Sequence, residues 1–298
     1  MPKLSDYRDV VQPPWTIKIE QSYGCNLKCS FCPINNLPEI NSNKQFMEPW
    51  VCETIVEQAV ELKPNLRVEL TLRGEPTLNQ QILDNLRIMR RVAPKFQISL
   101  FTNGVSLLTR KVAIKDLLDA GVNILCIDCY NGTYEKFLEF AKGTGEKIVD
   151  FRDFTAYRRH PNGHKLRVID LVPDIQEGAV DVRQIHNNAG NVSQQYLDSL
   201  KGYEKKRLPL AKGCARPFRE LVVYHTGDVV ICCHDWKAEC VLGNVLDETL
   251  TEIWYGEKHW QILKDLYEKK RNRVPCCKCD YSGGYRLGLL QNPTKSPA

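Results

Sequence analysis

The chain has 298 residues, of which 43% are hydrophobic and 26% charged, and this ordinary globular composition excludes a disordered chain or a fibrous repeat. No apolar run approaches the roughly 18 residues that cross a bilayer, and the first residues lack the apolar stretch of a secretory signal. We therefore predict a cytoplasmic protein with no membrane contact and a modest formal net charge of +5. The clustered cysteines among its 13 are expected to bind metal rather than form disulfides.

From residue 15 onward, β-rich runs alternate with helical stretches. The predicted strands cover residues 16–20, 67–72, 97–101, 123–128, 147–152 and 166–172, and the predicted helices cover residues 48–62, 80–92, 109–120 and 133–142. This βαβα order predicts an α/β fold with a parallel sheet, either open or closed into a partial barrel. Residues 174 to about 212 are interpreted as a connection.

One face of each predicted strand is polar, whereas the strands of a fully buried parallel sheet read as nearly continuous apolar runs. The polar positions are Lys18, Glu20, Glu69, Thr71, Arg73, Ser99, Asn103, Asp128, Asp150 and Arg152. The alternation indicates a sheet curved around a hydrated cavity, the alternative being a mixed face on partly exposed strands. Four of these residues are candidate contacts for a hydroxylated or amino-bearing substrate, namely Glu20, Glu69, Asp150 and Arg152.

The composition changes near Ala211, because seven of the thirteen cysteines fall between Cys214 and Cys279. We therefore predict a core domain over residues 1–210, a smaller domain over residues 211–290 and a flexible tail over residues 291–298, which has no apolar periodicity.

Cys25, Cys29 and Cys32 form a C-x3-C-x2-C pattern directly after the first predicted strand. Parallel α/β folds place their chemistry at this end of the strands. A four-iron cubane held by three thiolates keeps one iron open to another ligand, whereas four thiolates saturate it. Zinc is the competing ion, but a structural zinc needs four ligands and no histidine lies nearby in the sequence. The pattern therefore favours an iron–sulfur cluster with one open iron.

This segment resembles the signature of the radical S-adenosylmethionine (SAM) enzymes. The resemblance implies a partial (β/α)6 barrel in which the open iron of a [4Fe–4S] cluster chelates the methionine amino and carboxylate groups of SAM. It also implies that reductive cleavage of SAM yields a 5′-deoxyadenosyl radical, which abstracts a hydrogen atom from a substrate. An electron donor such as flavodoxin or ferredoxin is implied as a partner.

Other segments agree with the family pattern in their order along the chain. Arg73-Gly74-Glu75-Pro76 resembles the motif whose backbone and glutamate meet the amino group of SAM, although arginine stands where the family usually has glycine. Thr102-Asn103-Gly104 matches a second family segment. The resemblance further places Phe31 near the adenine and Asp128 near the ribose.

A second set of thiols lies in the predicted C-terminal domain, at Cys214, Cys232, Cys276 and Cys279. Residues 221–231 read as strand, glycine turn and strand, and this hairpin would bring Cys214 close to Cys232. Four thiolates suit a zinc ion and an iron–sulfur cluster equally well by number. Cys232 rather than the adjacent Cys233, and Cys276 rather than residue 277, are selected on spacing, and both choices stay open.

This stretch resembles the twitch domain, the shortened form of the SPASM domain, and thereby implies one auxiliary [4Fe–4S] cluster in a small hairpin-plus-helix domain. Only one is implied because no cysteine follows Cys279. Within the family the likeness is nearest to the 2-deoxy-scyllo-inosamine dehydrogenases. Their substrate is not transferred, because Asn187-Asn188-Ala189-Gly190 stands where that group shows Asn-Arg-Gly-Gly.

The expected enzyme is a radical SAM oxidoreductase or isomerase that acts on a polar small molecule. If the auxiliary cluster accepts the substrate radical's electron, the product is oxidised, and otherwise rearrangement or epimerisation is expected. Cys126 shares the polar side of its strand with Asp128 and is a candidate hydrogen donor for an epimerase.

Three other functions stay open. Radical modification of a peptide is the first, although no leader-binding domain is visible, and modification of a nucleobase in DNA or RNA is the second. The third is a zinc-stabilised protein that binds nucleic acid without catalysis. The last two rest on a basic stretch between Lys258 and Arg273, which a solvated helix face explains as well.

Overall fold

The computed structural model describes residues 11–130, 134–143, 145, 165–170 and 186–282. The strands are β1 Thr16–Ile19, β2 Ser22–Tyr23, β3 Gln45–Phe46, β4 Arg67–Leu70, β5 Gln97–Thr102, β6 Ile124–Cys129, β7 Lys165–Asp170, β8 Glu220–Val223, β9 Asp228–Val230 and β10 Val241–Asn244. The α-helices are α1 Pro38–Ser42, α2 Pro49–Leu62, α3 Ile82–Val92, α4 Val105–Leu108, α5 Ile114–Asp119, α6 Tyr134–Lys142, α7 Gln194–Ser199, α8 Leu250–Tyr255 and α9 Glu257–Tyr267.

Eight of these strands form one sheet in the order β10-β9-β8-β1-β4-β5-β6-β7. All neighbouring strands from β8 to β7 run parallel, whereas β9 and β10 are added antiparallel at the edge. The mainly parallel α/β sheet predicted from the alternation of strands and helices is therefore confirmed.

The two faces of the sheet differ as the alternation predicts. The main apolar core contains the residues on one side of the strands, among them Ile17, Ile19, Val68, Leu70, Ile98, Leu100, Leu125 and Ile127. Residues of α2 and α3, including Ile55 and Leu86, pack into the same core. On the opposite side, the strand register aligns Lys18 with Glu69 and Glu69 with Ser99.

The C-terminal segment completes the sheet rather than standing beside it. Strand β8 pairs with β1 in parallel, from Thr16 opposite Glu220 to Ile19 opposite Val223. Helix α8 packs on α2, where Gln58 donates to the carbonyl of Val245 at 2.9 Å. The N-terminal and C-terminal parts of the chain thus share one sheet and one apolar core.

Some predicted elements differ from the structure. The predicted helix over residues 109–120 forms only as α5 from Ile114, and the separate short helix α4 precedes the predicted range, because Arg110 between them adopts a left-handed conformation with φ of 57°. The predicted connection contains the short helix α7. The predicted strand over residues 147–152 lies outside the described residues. In the described part of the chain, no helix has the length and apolar character needed to cross a membrane.

Candidate active site

The first three cysteines line one pocket beyond the carboxyl ends of β4, β5 and β6, and this pocket also receives Phe31, Gly74, Glu75, Thr102, Asn103 and Asp128. The structure therefore brings together all but one of the residues that the resemblance assigned to SAM. Pro76 is buried at the start of a 3-10 turn after Glu75, outside the lining of the pocket.

Two glycines bring the cysteine loop against the end of β4. Gly24 and Gly74 form a parallel β-bridge, and the amide of Glu75 donates to the Gly24 carbonyl at 3.0 Å. A Cβ atom on Gly74 would overlap the carbonyl oxygens of Ser22 and Gly24. Gly24 has φ of 127°, a conformation that L side chains rarely adopt. Glycine is therefore required at both positions for the loop that carries Cys25 to reach the pocket.

The three thiols lie close enough to influence one another's ionisation. Burial, followed by the charge of Cys25, raises the pKa of Cys29 to about 11. Burial also raises the pKa of Cys32 to about 12, with added repulsion from Cys29 and Cys25. Three neighbouring thiols that resist ionisation in the metal-free protein release their protons when a metal centre binds them. The donor set fits a cluster held by three thiolates.

Glu75 connects the two motifs that follow β4 and β5. One carboxylate oxygen accepts from the amide and hydroxyl of Thr77, at 3.1 and 2.7 Å, and from the hydroxyl of Thr102 at 2.6 Å. The other oxygen accepts from the amide of Asn103 at 2.8 Å. Burial raises the pKa of Glu75, and these hydrogen bonds oppose that rise. The carboxylate thus fixes the Thr-Asn-Gly segment at the pocket.

Asn103 joins this segment to the cysteine loop. Its side-chain amide donates to the Asn26 side chain at 2.8 Å and lies 3.5 Å from the sulfur of Cys25. The sequence predicted a cofactor contact at Asn103 but not this contact with a thiol. Because the two segments are 77 residues apart, no local pattern could have indicated it.

Asp128 and Tyr130 form the wall of the pocket at the end of β6. The hydroxyl of Tyr130 donates to the Asp128 carboxylate at 3.3 Å, and its ring lies 5.1 Å from the ring of Phe31. Burial raises the pKa of Asp128 to about 7, and the nearby charge of Glu75 adds to this effect. Tyr130 was not predicted as a site residue, although it follows Asp128 by two residues and therefore lies on the same side of the strand direction.

Arg73 extends away from this pocket and into the C-terminal hairpin. Its guanidinium makes two hydrogen bonds to the Glu20 carboxylate, at 2.7 and 2.8 Å, and a third to the carbonyl of Trp236 at 3.1 Å. It stacks on the ring of Tyr224 with 3.3 Å between the guanidinium carbon and the ring centroid. Arginine therefore stands at the usual glycine position because its side chain ties the end of β4 to residues beyond β8.

The structure gives Glu20 protein partners on both carboxylate oxygens. Besides Arg73, the ring of His225 contacts the second oxygen at 2.8 Å, and the Glu20 side chain has no exposed surface. Burial opposes ionisation of Glu20, but the hydrogen bonds and charge of Arg73, together with His225, hold its pKa below its usual value. The predicted substrate contact at Glu20 therefore coincides with an occupied, buried position.

The polar face of the sheet carries a network of ion pairs. Lys18 lies 2.9 Å from Glu69 and 3.6 Å from Glu220, while Arg67 pairs with Glu69 and Arg216 with Glu220. Glu69 thus lies on the predicted face but does not line the pocket of the first cysteines. Cys126 is buried in β6, also outside that lining. Asp150 and Arg152 lie outside the described residues.

The second set of thiols converges in three dimensions. Burial and then the charges of Cys233, Cys276, Cys279 and Cys214 raise the pKa of Cys232 well above its usual value. Repulsion of this kind requires that the groups lie close together. The structure therefore brings together the four cysteines selected on spacing, of which the other three lie 18 to 47 residues from Cys232 along the chain.

The neighbours of these cysteines face other groups. The sulfur of Cys233 accepts from the Arg216 guanidinium at 3.3 Å and lies near Lys18 on the polar face of the sheet. Cys277 acts electrostatically on Lys278, whereas Cys276 acts on Cys232 and is itself influenced by the charges of Cys214 and Cys279. These contacts favour Cys232 and Cys276 as the ligands, although the assignment stays a prediction.

Trp236 lies between the two sets of thiols. It follows Cys232 by four residues and packs with Ile34, Leu37 and Ile40, against which Cys25 and Cys32 also pack. Only 8% of its surface is exposed. The loop that carries a ligand of the second site therefore contacts the loop that carries the first site.

Within the described residues, no group of three or more His, Cys, Asp or Glu side chains is placed to hold a single metal ion. A zinc ion binds each thiolate at about 2.3 Å and so draws its four sulfurs into mutual contact. An iron–sulfur cubane places each thiolate on a different corner iron and keeps the sulfurs further apart. The second set has the four thiols that either centre needs, whereas the first set has three.

Three of the six cations in the basic stretch near the C-terminus are paired with a carboxylate or buried. Lys270 pairs with Glu268 and Arg273 with Asp265, each at about 2.7 Å or less. Arg271 is 2% exposed. A face with paired or buried cations offers little unpaired charge to a polyanion.

Two family models match the chain. The model of the radical SAM superfamily matches residues 19–176, more than half of the chain, and that of SPASM, an iron–sulfur cluster-binding domain, matches residues 214–289.

Individual proteins are similar to this chain over most of its length. The S-adenosyl-L-methionine-dependent 2-deoxy-scyllo-inosamine dehydrogenase of Niallia circulans is 24% identical over 266 residues, which cover 88% of this chain and 90% of that protein. A putative glycyl-radical enzyme activating enzyme of Methanocaldococcus jannaschii is 25% identical, covering 62% of this chain and 66% of that protein. The crystal structure of BtrN in complex with AdoMet and 2-DOIA aligns with a TM-score of 0.63 and 21% identity, covering 89% and 92% of the two chains.

Proposed function

Because the chain belongs to the radical SAM superfamily, we propose that it oxidises a hydroxylated or amino-bearing small molecule and passes one electron to its auxiliary cluster. The superfamily match brings a [4Fe–4S] cluster and SAM as cofactors, and the SPASM match brings an auxiliary iron–sulfur cluster. When bound, the first cluster and SAM supply a 5′-deoxyadenosyl radical. We assign Cys25, Cys29 and Cys32 to this cluster and Cys214, Cys232, Cys276 and Cys279 to the auxiliary cluster.

The protein's residues are assigned to positioning SAM. Glu75 and the backbone at Gly74 hold the rim of the pocket, with the Glu75 carboxylate fixing Asn103 beside Cys25. We assign the adenine contact to Phe31, packed on Tyr130, and the ribose contact to Asp128. Asp128 is suited to accept from a ribose hydroxyl when it is ionised, and its pKa of about 7 makes that state sensitive to pH near neutrality.

One observation carries the oxidative assignment: the four thiols of the second set converge next to the loop that contacts the first set. Cys214 and Cys276 pack against the apolar core that contains Cys232, and the sulfur of Cys279 lies 3.8 Å from the ring of His234, two residues after Cys232. Trp236 makes the contact with the first loop. A second hydrogen-bonded link runs from Asn36 to the carbonyl of Asn191 at 2.8 Å and from Asn191 to the carbonyl of His234 at 3.4 Å. A cluster with four protein ligands has no open iron and is suited to accept an electron.

The proposed oxidation balances without an external oxidant. The carbon that bears the hydroxyl gives a hydrogen atom to the 5′-deoxyadenosyl radical, which leaves as 5′-deoxyadenosine. A cluster held by Cys214, Cys232, Cys276 and Cys279 would accept one electron from the substrate radical, whose hydroxyl proton would pass to solvent, so that a carbonyl forms. The electron consumed in cleaving SAM equals the one returned, and the net products are ketone, methionine, 5′-deoxyadenosine and a proton.

The relative from Niallia circulans is named as a dehydrogenase, which supports this reaction class. Its substrate is not carried over, because Asn188 and Ala189 stand where that group shows arginine and glycine. We propose instead that the substrate lies against the polar face, where Lys18 and Glu69 lie on neighbouring strands.

The test is anaerobic turnover with reductant, SAM and a panel of polyols and aminocyclitols. We expect a substrate that accelerates release of 5′-deoxyadenosine, transfers deuterium from its carbinol carbon into that product and yields a carbonyl. Replacing the auxiliary ligand Cys276 by alanine should preserve SAM cleavage while suppressing the carbonyl product. A product that instead gains deuterium from solvent, with no carbonyl, would contradict oxidation and establish epimerisation, for which Cys126 is the candidate hydrogen donor.

A further inference from the structure

Arg271 holds together the two chain segments that enter and leave the auxiliary thiol site. Its Nε donates to the carbonyl of Lys212 and its Nη2 to the carbonyl of Gly213, both at 2.8 Å, directly before Cys214. Its Nη1 donates to the carbonyl of Tyr281 at 2.8 Å, two residues after Cys279. Each of its three nitrogens therefore carries one hydrogen bond, and together they span two segments about 70 residues apart in sequence.

The burial of Arg271 strengthens its hydrogen bonds and the electrostatic effect of its charge. The side chain is only 2% exposed, so its hydrogen bonds and its charge are little screened by water. Lysine could not replace it, because an ammonium group is a point donor that cannot reach three carbonyls in one plane as a guanidinium does. The basic stretch of the sequence thus contains one cation that is structural rather than part of the solvated face.

The positive charge of Arg271 also lies close to the thiol site. Its guanidinium donates to the carbonyl of Gly213, the residue before Cys214, and to the carbonyl of Tyr281, two residues after Cys279. A buried cation at this position favours any added negative charge on the group that these thiols hold.

We propose that Arg271 is a positioning residue of the auxiliary site: it clamps the backbone beside Cys214 and Cys279, and its charge stabilises the reduced form of the auxiliary cluster. This inference rests on the proposed function only in taking that site to hold an iron–sulfur cluster. Reduction adds one negative charge to a cluster, so a fixed cation nearby raises the reduction potential and makes the cluster a better electron acceptor.

The experiment isolates the auxiliary site in the full-length chain. Cys25, Cys29 and Cys32 are all replaced by alanine, so that only the auxiliary cluster contributes iron and colour. Into this background we introduce Arg271→Gln, which removes the charge, or Arg271→Lys, which keeps the charge but loses the three-point contact. Lys270→Gln is the matched control, because it removes a positive charge from the adjacent exposed residue.

Two readouts are needed, neither of which requires a substrate. The first is the rate at which an iron chelator removes iron from the anaerobically reconstituted protein, and the second is the midpoint potential from a redox titration followed by EPR. We expect Arg271→Gln to speed iron loss about tenfold and to lower the ratio of reduced to oxidised cluster about tenfold at a fixed potential, which equals about 59 mV for one electron. Arg271→Lys should speed iron loss and keep the potential, and Lys270→Gln should change neither.

The inference is overturned if Arg271→Gln loses iron at the same rate as the Lys270→Gln control and has the same midpoint potential. If that variant fails to assemble a cluster, Arg271→Lys decides, because wild-type iron retention without the three-point contact also overturns it. A wild-type site that holds zinc would refute the auxiliary cluster of the proposed function and with it the inferred effect on potential, while metal loss to a chelator would still test the clamp. Absence of turnover on every substrate would refute the reaction and leave both readouts of Arg271 intact.

Discussion

Replacing Arg73 by alanine tests the connection between the SAM pocket and the C-terminal hairpin. The variant removes the partner of Glu20, whose carboxylate has no exposed surface, and it removes the donor to the carbonyl of Trp236 and the stacking on Tyr224. What is left is a buried carboxylate with the ring of His225 as its remaining side-chain contact at 2.8 Å.

Breaking a buried ion pair on one side costs about 3–5 kcal/mol, because the other charge stays buried without compensation. The contact between the His225 ring and Glu20 stays in the variant, so we expect about 3 kcal/mol for Arg73→Ala, near the lower end of that range. For a chain of this size, such a loss lowers the melting temperature by roughly 6–12 °C.

The stability difference between wild type and Arg73→Ala should depend on pH in one direction. In the wild type the pKa of Glu20 is held below its usual value, so its contribution to stability is full at neutral pH and is lost as the pH falls through that lowered pKa. In Arg73→Ala burial dominates and raises the pKa of Glu20, so the variant is penalised most at neutral pH and less as protonation proceeds. The stability difference between wild type and variant should therefore shrink as the pH falls from 7 to 5.

The measurement is urea unfolding of the metal-free protein by circular dichroism at several pH values, with Arg73→Lys as a conservative variant that retains the charge. The double variant Glu20→Gln with Arg73→Ala removes both charges, and it should be less destabilised than the sum of the single variants by about 2 kcal/mol or more. A loss below 1 kcal/mol at pH 7, or an additive double variant, would refute the reasoning.

Three further predictions concern the two sites. SAM should bind more tightly as the pH rises through about 7, where Asp128 ionises, and calorimetry on Asp128→Asn should show no such slope. Gly74→Ala should weaken SAM binding about tenfold, because its methyl group overlaps backbone oxygens, whereas Gly143→Ala, whose Cβ has room, should not. Cys232→Ala should lose about four iron ions per chain while Cys233→Ala keeps them, and the opposite pattern of losses would reverse the ligand assignment.

The sheet was largely predictable because its strands alternate apolar and polar residues with a period of two, and because the helices between them end at clear signals. The late start of the helix predicted over residues 109–120 was not predictable, since no glycine or asparagine marks the left-handed backbone at Arg110. The pairing of β8 with β1 could not be predicted either, because a register between residues about 200 positions apart leaves no local pattern.

For the candidate site, spacing identified the thiols and order along the chain identified the motifs that line the pocket with them. Strand parity placed Lys18 and Glu69 on the correct face, but it could not show that they neutralise each other. The same limitation explains Glu20, whose polar character indicated a ligand contact while its partner Arg73 lay 53 residues away. The domain boundary near Ala211 stays a prediction.

The position of β1 inside the sheet has a consequence for biosynthesis. One side of this strand is covered only by β8, about 200 residues later, so during translation at about 5–20 residues per second its edge stays open for roughly 10–40 s. The loop with the first three cysteines begins shortly after the carboxyl end of this strand. We therefore expect the nascent chain to expose these thiols until the ribosome has synthesised the last third of the sequence, so that cluster delivery follows release. Early termination of translation should yield fragments that are aggregation-prone and sensitive to oxygen.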